Sequence, residues 1–101
     1  MKLEKIAWES GRSVDEPALR RQLAAEGFDV WSWTDQPGAD YRPHAHDRDE
    51  SLWVVAGEIT FEAGARAFLL GPGDRLMLPK GTIHAARAGA AGATYLIGEK
   101  G

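Results

Sequence analysis

The sequence contains no cysteine among its 101 residues. Disulfide bonds, thiolate metal ligands and cysteine nucleophiles are therefore excluded. Any metal or catalytic chemistry has to come from histidine, carboxylate, hydroxyl or amine side chains.

Long apolar runs are also missing. No stretch approaches the roughly 20 apolar residues that a membrane helix needs, and the first ten residues, MKLEKIAWES, lack the apolar segment of a secretory signal. We therefore expect a protein with no membrane partner, and the absence of cysteine favours a cytoplasmic location.

Basic residues are few and scattered. The net charge is −3, and the only adjacent basic pair is Arg20–Arg21, so a nucleic-acid partner is not expected. Hydrophobic residues make up 44% of the chain and charged residues 27%, which is ordinary for a soluble globular protein. A chain of this length has room for one hydrophobic core.

Glycine and proline are abundant, with 12 and 5 residues, and they divide the chain into short segments. Residues 15–26 have the pattern of a helix. Asp15 is a suitable N-cap, Pro17 falls in the first turn, where its missing N–H costs little, and Gly27 is a natural stop. The sequence therefore predicts an N-terminal extension that carries one short helix, residues 1–27.

Residues 28–101 have a different pattern, in which short apolar segments alternate with turn residues. Many short strands at this spacing are typical of an antiparallel all-β sandwich or barrel. We expect Gly57 to separate two strands and the glycine-alanine segment 88–93 to be a loop. The predicted strands are 28–34, 41–46, 51–56, 58–63, 67–70, 75–78, 83–87 and 94–98.

The chain has only three histidines, and two of them lie close together. His44 and His46 would point to the same face of a strand, since alternate residues do so. Glu50 would share its strand face with core residues, where a lone carboxylate is costly unless it is neutralised or bound to a cation. His84 could reach the same point if the sheet closes into a barrel. Three imidazoles and a carboxylate favour a divalent Fe, Mn, Ni, Cu or Zn ion over Ca or Mg.

Two segments that contain these residues resemble the two motifs of the cupin superfamily. The first motif is a glycine, five residues, HxH, three or four residues, a glutamate, six residues and a glycine. The segment GADYRPHAHDRDESLWVVAG, residues 38–57, fills every fixed position.

The second motif is a glycine, five residues, PxG, two residues, a histidine, three residues and an asparagine. The segment GDRLMLPKGTIHAARA, residues 73–88, matches it except at the final position, where Ala88 replaces asparagine. That residue is usually not a ligand in the family, so the departure leaves the metal site intact. The resemblance covers about half of the chain.

The resemblance implies a small antiparallel jelly-roll (cupin) β-barrel that holds one metal ion and often forms a homodimer. It implies that the metal ligands are His44, His46, Glu50 and His84. A metal-dependent enzyme that acts on a small organic molecule follows as the leading hypothesis. Oxygenase-type chemistry, that of a dioxygenase or another oxidoreductase, comes first, and isomerase or lyase chemistry second. The alternative is a non-catalytic module that binds or senses a small ligand.

Residues beyond the ligand set are less strongly indicated. Glu50 is the candidate for proton transfer, although it is also needed as a ligand. Arg42 and Tyr41 are candidates for substrate binding, while a surface position for Arg42 stays open because Pro43 can break the strand register. Met77 is a third candidate, and packing is its alternative role.

For Trp31, Trp33 and Trp53 we expect a place in the core or at a dimer interface rather than a role as a substrate platform. Trp53 lies on the strand face opposite Glu50, so we expect it outside the barrel, covered by a partner subunit. The exposed tryptophans make a homodimer the expected assembly. By the same alternation of faces, Arg75 should point to solvent.

Overall fold

A single helix, α1 (Glu16–Ala25), precedes the barrel in the computed structural model, which describes residues 1–9 and 11–101. Asp15 is its N-cap and accepts a hydrogen bond from the backbone N–H of Ala18 at 3.5 Å. The predicted helix is confirmed, with one residue fewer at each end. No helix in the described part of the chain is long and apolar enough to cross a membrane.

All strand pairs in the described residues are antiparallel. The strands are β1 (Glu4–Ile6), β2 (Asp29–Asp35), β3 (Asp40–His44), β4 (Asp49–Ala63), β5 (Arg66–Leu70), β6 (Arg75–Leu78) and β7 (His84–Lys100). A larger sheet runs in the order β1-β6-β4-β7-β2, and a smaller one, β3-β7-β4-β5, continues from it through β4 and β7. This is the antiparallel jelly-roll architecture that the sequence predicts.

Two long strands hold the two sheets of the barrel together. The first part of β4 pairs with β6, its last part pairs with β5, and β7 runs beside β4 along both parts. The register between β4 and β7 shifts at Val54/Ala56 and again at Gly57/Ile59. These irregularities let each strand bend from one sheet into the other without ending.

The predicted break at Gly57 and the predicted loop over residues 88–93 are therefore wrong. Gly57 has φ of 75° inside β4, and a Cβ there would lie 2.1 Å from the carbonyl oxygen of Gly92. The glycines allow a sharp bend and a close approach of two backbones, while the hydrogen-bonded ladder continues on both sides.

The apolar side chains form two buried clusters. One fills the barrel between the sheets and includes Leu52, Ile59, Phe61 and Leu78. The other lies between α1 and the outer face of the larger sheet, and it contains Leu19, Leu23, Phe28, Trp53 and Leu96. The helix thus covers a sheet face that would otherwise be exposed.

This second cluster corrects two expectations. Trp53 does lie outside the barrel, but α1 of its own chain covers it, and only 5% of its surface is exposed. Arg75 is equally buried, because it lies under the same helix. Its guanidinium donates to Glu26 at the C-terminal end of α1, its Nε donates to the Ser51 hydroxyl at 2.6 Å, and its Cζ lies 4.5 Å from the Trp53 ring centroid. Strand alternation gives the correct face, but it does not show that the helix packs on it.

Candidate metal centre

The three histidines converge where two strands meet. His44 ends β3 and His84 begins β7, and the two residues are directly paired in the ladder. Their ring centroids lie 4.4 Å apart, and the His46 ring lies 4.9 Å from that of His44 and 5.3 Å from that of His84. Residues 40 positions apart in the sequence are therefore brought together by the pairing of β3 with β7, as the sequence predicts.

Backbone carbonyls fix the orientation of two of the rings. The Nδ1 atom of His44 lies 2.7 Å from the carbonyl oxygen of Arg42, and that of His84 lies 2.9 Å from the carbonyl oxygen of Thr82. A carbonyl oxygen can only accept, so each Nδ1 carries the hydrogen and, in a neutral ring, each Nε2 keeps its lone pair. Metal-binding histidines are commonly oriented in this way.

Two carboxylates lie beside the histidines. Glu50 of β4 is 4% exposed, its Oε1 lies 3.6 Å from Nε2 of His46, and it is paired across the sheet with Glu99 of β7. The potential ligand atoms of the three histidines lie within 4.8 Å of one another, and the same holds for His46, Glu50 and Glu99. His46 is common to both groups, so the two form one continuous cluster.

Glu99 was missed by the sequence reasoning. It lies outside both motif segments, and only the pairing of β7 with β4 brings it to Glu50. The signal that could have found it is alternation along β7, where Tyr95, Ile97 and Glu99 share one face. That signal becomes useful only once the neighbour of β7 is known.

The surroundings shift the pKa values of two members of the cluster. Burial, together with the hydrogen bond to Glu99 and the charge of Glu99, raises the pKa of Glu50 to about 8. Burial lowers the pKa of His84, and the nearby His44 and His46 lower it further. The hydrogen bond to the Thr82 carbonyl raises this pKa but does not offset the decrease. Without a cation, Glu50 therefore holds a proton at neutral pH, and His84 is neutral and able to ligate.

The donor set fits a transition metal. Imidazole nitrogen and carboxylate oxygen bind ions such as Zn²⁺ at roughly 2.0–2.2 Å. The three histidines offer their nitrogens within 4.8 Å of one another, and Glu50 adjoins them through His46. A buried carboxyl group without a lysine or arginine partner among the described residues is also what a bound cation would stabilise. His44, His46, Glu50 and His84 could therefore hold one divalent ion.

A cavity of about 180 Å³ opens beside the cluster. A cavity of this size favours a small ligand. Its walls are mainly apolar, and at the part away from Glu50 they are aromatic. The apolar residues are Leu52, Phe61, Ala86 and Ile97, and the aromatic residues with polar atoms are Trp33, Tyr41 and Tyr95.

The structure separates the three substrate-binding candidates. Tyr41 lines the cavity. The Arg42 side chain is exposed, and its backbone carbonyl supports His44. Met77 lies away from the cavity, because its strand face is the one that α1 covers, and its sulfur accepts a hydrogen bond from Ser51 at 3.4 Å. Its position therefore fits the alternative packing role.

Comparisons with known proteins agree with this geometry. The family model of the Cupin domain matches residues 31–97. An RmlC-like cupin from Shewanella frigidimarina superposes with a TM-score of 0.63 at 22% identity, over 73% of this chain and 67% of that one. KdgF from Halomonas sp. gives a TM-score of 0.61 at 26% identity, over 73% and 71% of the two chains.

A structure described as DMSP lyases RdDddP and RnDddQII gives a TM-score of 0.61 at 30% identity. The match covers 71% of this chain but only 36% of the lyase chain. No curated protein sequence matches the chain.

Proposed function

Because this chain belongs to the cupin domain family, we propose that it is a metal-dependent cupin that acts on a small organic molecule. One observation carries the proposal: three imidazoles and a buried carboxyl group meet at the wall of a small, largely apolar cavity. Such a cavity with a few convergent polar groups is the usual form of a small-molecule site.

In this proposal, His44, His46, Glu50 and His84 hold the metal. A bound divalent ion would supply a Lewis acid and open coordination positions for a chelating substrate. The backbone carbonyls of Arg42 and Thr82 keep two of the rings oriented. The apolar walls exclude water from the reacting groups, which strengthens the electrostatic interactions inside.

Two classes of reaction fit this site. Oxygenase-type chemistry at Fe, Cu or Ni is the first, with the metal as the dioxygen-binding centre. Isomerase or lyase chemistry at Zn or Mn is the second, and the similarity to the DMSP lyases favours it. In the second class Glu50, or Glu99 beside it, is placed to take up or return a proton.

Reconstitution tests both classes. Protein loaded separately with Fe, Cu, Ni, Zn or Mn is incubated with diketones, flavonols, thiols and small carboxylates, while dioxygen uptake and products are recorded. Metal-dependent dioxygen uptake that His84→Ala abolishes supports the first class. Product formation under argon supports the second.

The alternative is a binding or sensing module. It predicts saturable binding of a small ligand to the metal-loaded protein with no product under any of these conditions. That result would replace the enzyme proposal, because the same site would then only bind its ligand.

A homodimer remains part of the proposal, as does a cytoplasmic location. Trp31 and Trp33 are 39% and 50% exposed, and both lie on β2, at the edge of the larger sheet. An exposed apolar edge of this kind is typical of an interface. The molar mass in solution tests the homodimer. Twice the chain mass of 11.0 kDa is expected, and a monomer at micromolar concentration would contradict the proposal.

A further inference from the structure

A second buried carboxylate lies behind the aromatic wall of the cavity. Asp35, the last residue of β2, is 5% exposed. It accepts hydrogen bonds from the hydroxyls of Tyr41 and Tyr95, the latter at 2.7 Å, and from Nε1 of Trp33 at 3.0 Å. All three donors line the cavity.

The three donors are neutral, so they solvate the carboxylate without balancing its charge. None of the ion pairs within 4.0 Å among residues 1–9 and 11–101 includes Asp35. A buried charge is normally paired, because removal from water is costly. The missing partner here would be a positive group in the cavity.

The hydrogen bonds also determine what the tyrosines offer to a ligand. Each tyrosine donates its only hydroxyl hydrogen to Asp35. The Tyr41 oxygen also accepts a hydrogen bond from Nε1 of Trp33 at 3.2 Å. Neither hydroxyl can therefore donate to a ligand while these bonds persist, and their remaining lone pairs can only accept. The hydrogen bond to Asp35 raises the pKa of Tyr41, and burial followed by the same carboxylate raises that of Tyr95.

Aromatic rings complete the same wall. Trp33 and Tyr95 are paired across β2 and β7, and Tyr41 extends the wall from β3. The negative faces of such rings attract cations, with tryptophan the strongest of the three types. Acceptor oxygens, aromatic rings and a carboxylate behind them therefore all favour a positive charge and disfavour an anion.

We infer that this part of the cavity, built from Trp33, Tyr41 and Tyr95 in front of Asp35, binds a compact ammonium-type cationic head of the ligand. The inference deepens the proposed function and rests on it, because the other end of the ligand would chelate the metal. Tyr41 and Tyr95 line the same small cavity as the proposed metal ligands, so one small ligand can contact both ends of it. The ligand class is then a small zwitterion, with an oxygen-bearing chelating end and a cationic end.

A pair of isosteric probes tests this directly. Glycine betaine and 3,3-dimethylbutanoate have the same shape and the same carboxylate, but only the first carries a quaternary nitrogen. Both are titrated by calorimetry into zinc-loaded protein, whose zinc content is measured on the same sample. We expect betaine to bind at least tenfold more tightly. Equal affinities, a preference for 3,3-dimethylbutanoate, or no binding of either would overturn the inference.

Variants assign the preference to these residues. Asp35→Asn removes the charge and keeps the shape, and the tenfold preference should fall below threefold. Trp33→Leu should weaken it as well, and because Trp33 is half exposed the variant leaves the core intact. Leu69→Ala is the control, since Leu69 is exposed on β5, away from the cavity and from the proposed dimer edge, and it should keep the preference. A preference retained in Trp33→Leu would overturn the inference even if Asp35→Asn failed to fold.

A final experiment tests the cationic subsite independently of the proposed metal site. Tetramethylammonium has no chelating group, and we expect it to bind metal-free protein saturably and to shift the indole N–H resonance of Trp33. That shift should persist in His84→Ala and disappear in Trp33→Leu. Protein that takes up no zinc but still shows the shift would refute only the proposed metal function, whereas protein that takes up zinc but never shows the shift would refute only the cationic subsite.

Discussion

Replacing Glu50 with glutamine should stabilise the metal-free protein at alkaline pH. Burial and Glu99 raise the pKa of Glu50 from 4.5 to about 8. Between these two values the folded protein holds a proton that the unfolded chain releases, so stability falls as the pH rises through this window. Glutamine does not titrate, and its amide can donate to Glu99 as the protonated acid does.

The size of the effect follows from the pKa difference. Each pH unit inside the window costs about 1.4 kcal/mol, so the metal-free wild type should lose about 3 kcal/mol between pH 5 and pH 8. That is a large part of the ~5–15 kcal/mol by which a typical domain is stable, and it corresponds to a decrease in Tm of roughly 10 °C or more.

Urea unfolding with a chelator present, followed by circular dichroism, measures this difference. The free energy of unfolding is determined at pH 5, 6, 7 and 8 for wild type and Glu50→Gln. His84 acts in the opposite direction, because its lowered pKa costs stability only as the pH falls below about 6.5, but it does so equally in both proteins. If the two proteins lose the same stability between pH 5 and pH 8, the account of Glu50 is wrong.

Two further predictions concern the fold. Arg75→Ala should lower the free energy of unfolding by about 2–4 kcal/mol, because it removes the buried link between α1 and the sheet. The control Arg87→Ala breaks only an exposed ion pair and should cost less than about 1 kcal/mol. Equal decreases in the thermal unfolding temperature of the two variants would contradict this prediction. Gly57→Ala should unfold the protein more readily than Gly64→Ala, since both have positive φ but only Gly57 has a backbone atom 2.1 Å from the added Cβ. Similar urea midpoints for the two variants would show that β4 can relax around the added methyl group.

The fold class and the histidine cluster could be predicted from the sequence because their signals are local. HxH, a glutamate four residues later and a histidine after a PxG turn place all four side chains in two short segments of the sequence. The predicted strand 41–46 is too long, since β3 ends at His44 and His46 follows it. The fold then needs only to bring β3 and β7 together, and their pairing of His44 with His84 does so.

The remaining features depend on contacts between distant segments. Glu99 becomes part of the site only through the register of β4 and β7. Arg75 is buried only because α1 returns to the sheet, and no local pattern fixes that packing. Gly57 has the same local signal as a strand end, and only the continuing partner strand distinguishes a bend from a break.

The metal content of the protein tests the central claim most directly. Elemental analysis is carried out on protein purified without an affinity tag, beside His84→Ala and the surface control Arg87→Ala, with circular dichroism to confirm folding. We predict about one equivalent of a transition metal in the wild type and in Arg87→Ala, and its loss in folded His84→Ala. No metal in the wild type even after Fe, Mn, Ni, Cu or Zn is added, or full occupancy in His84→Ala, would contradict the proposed metal centre.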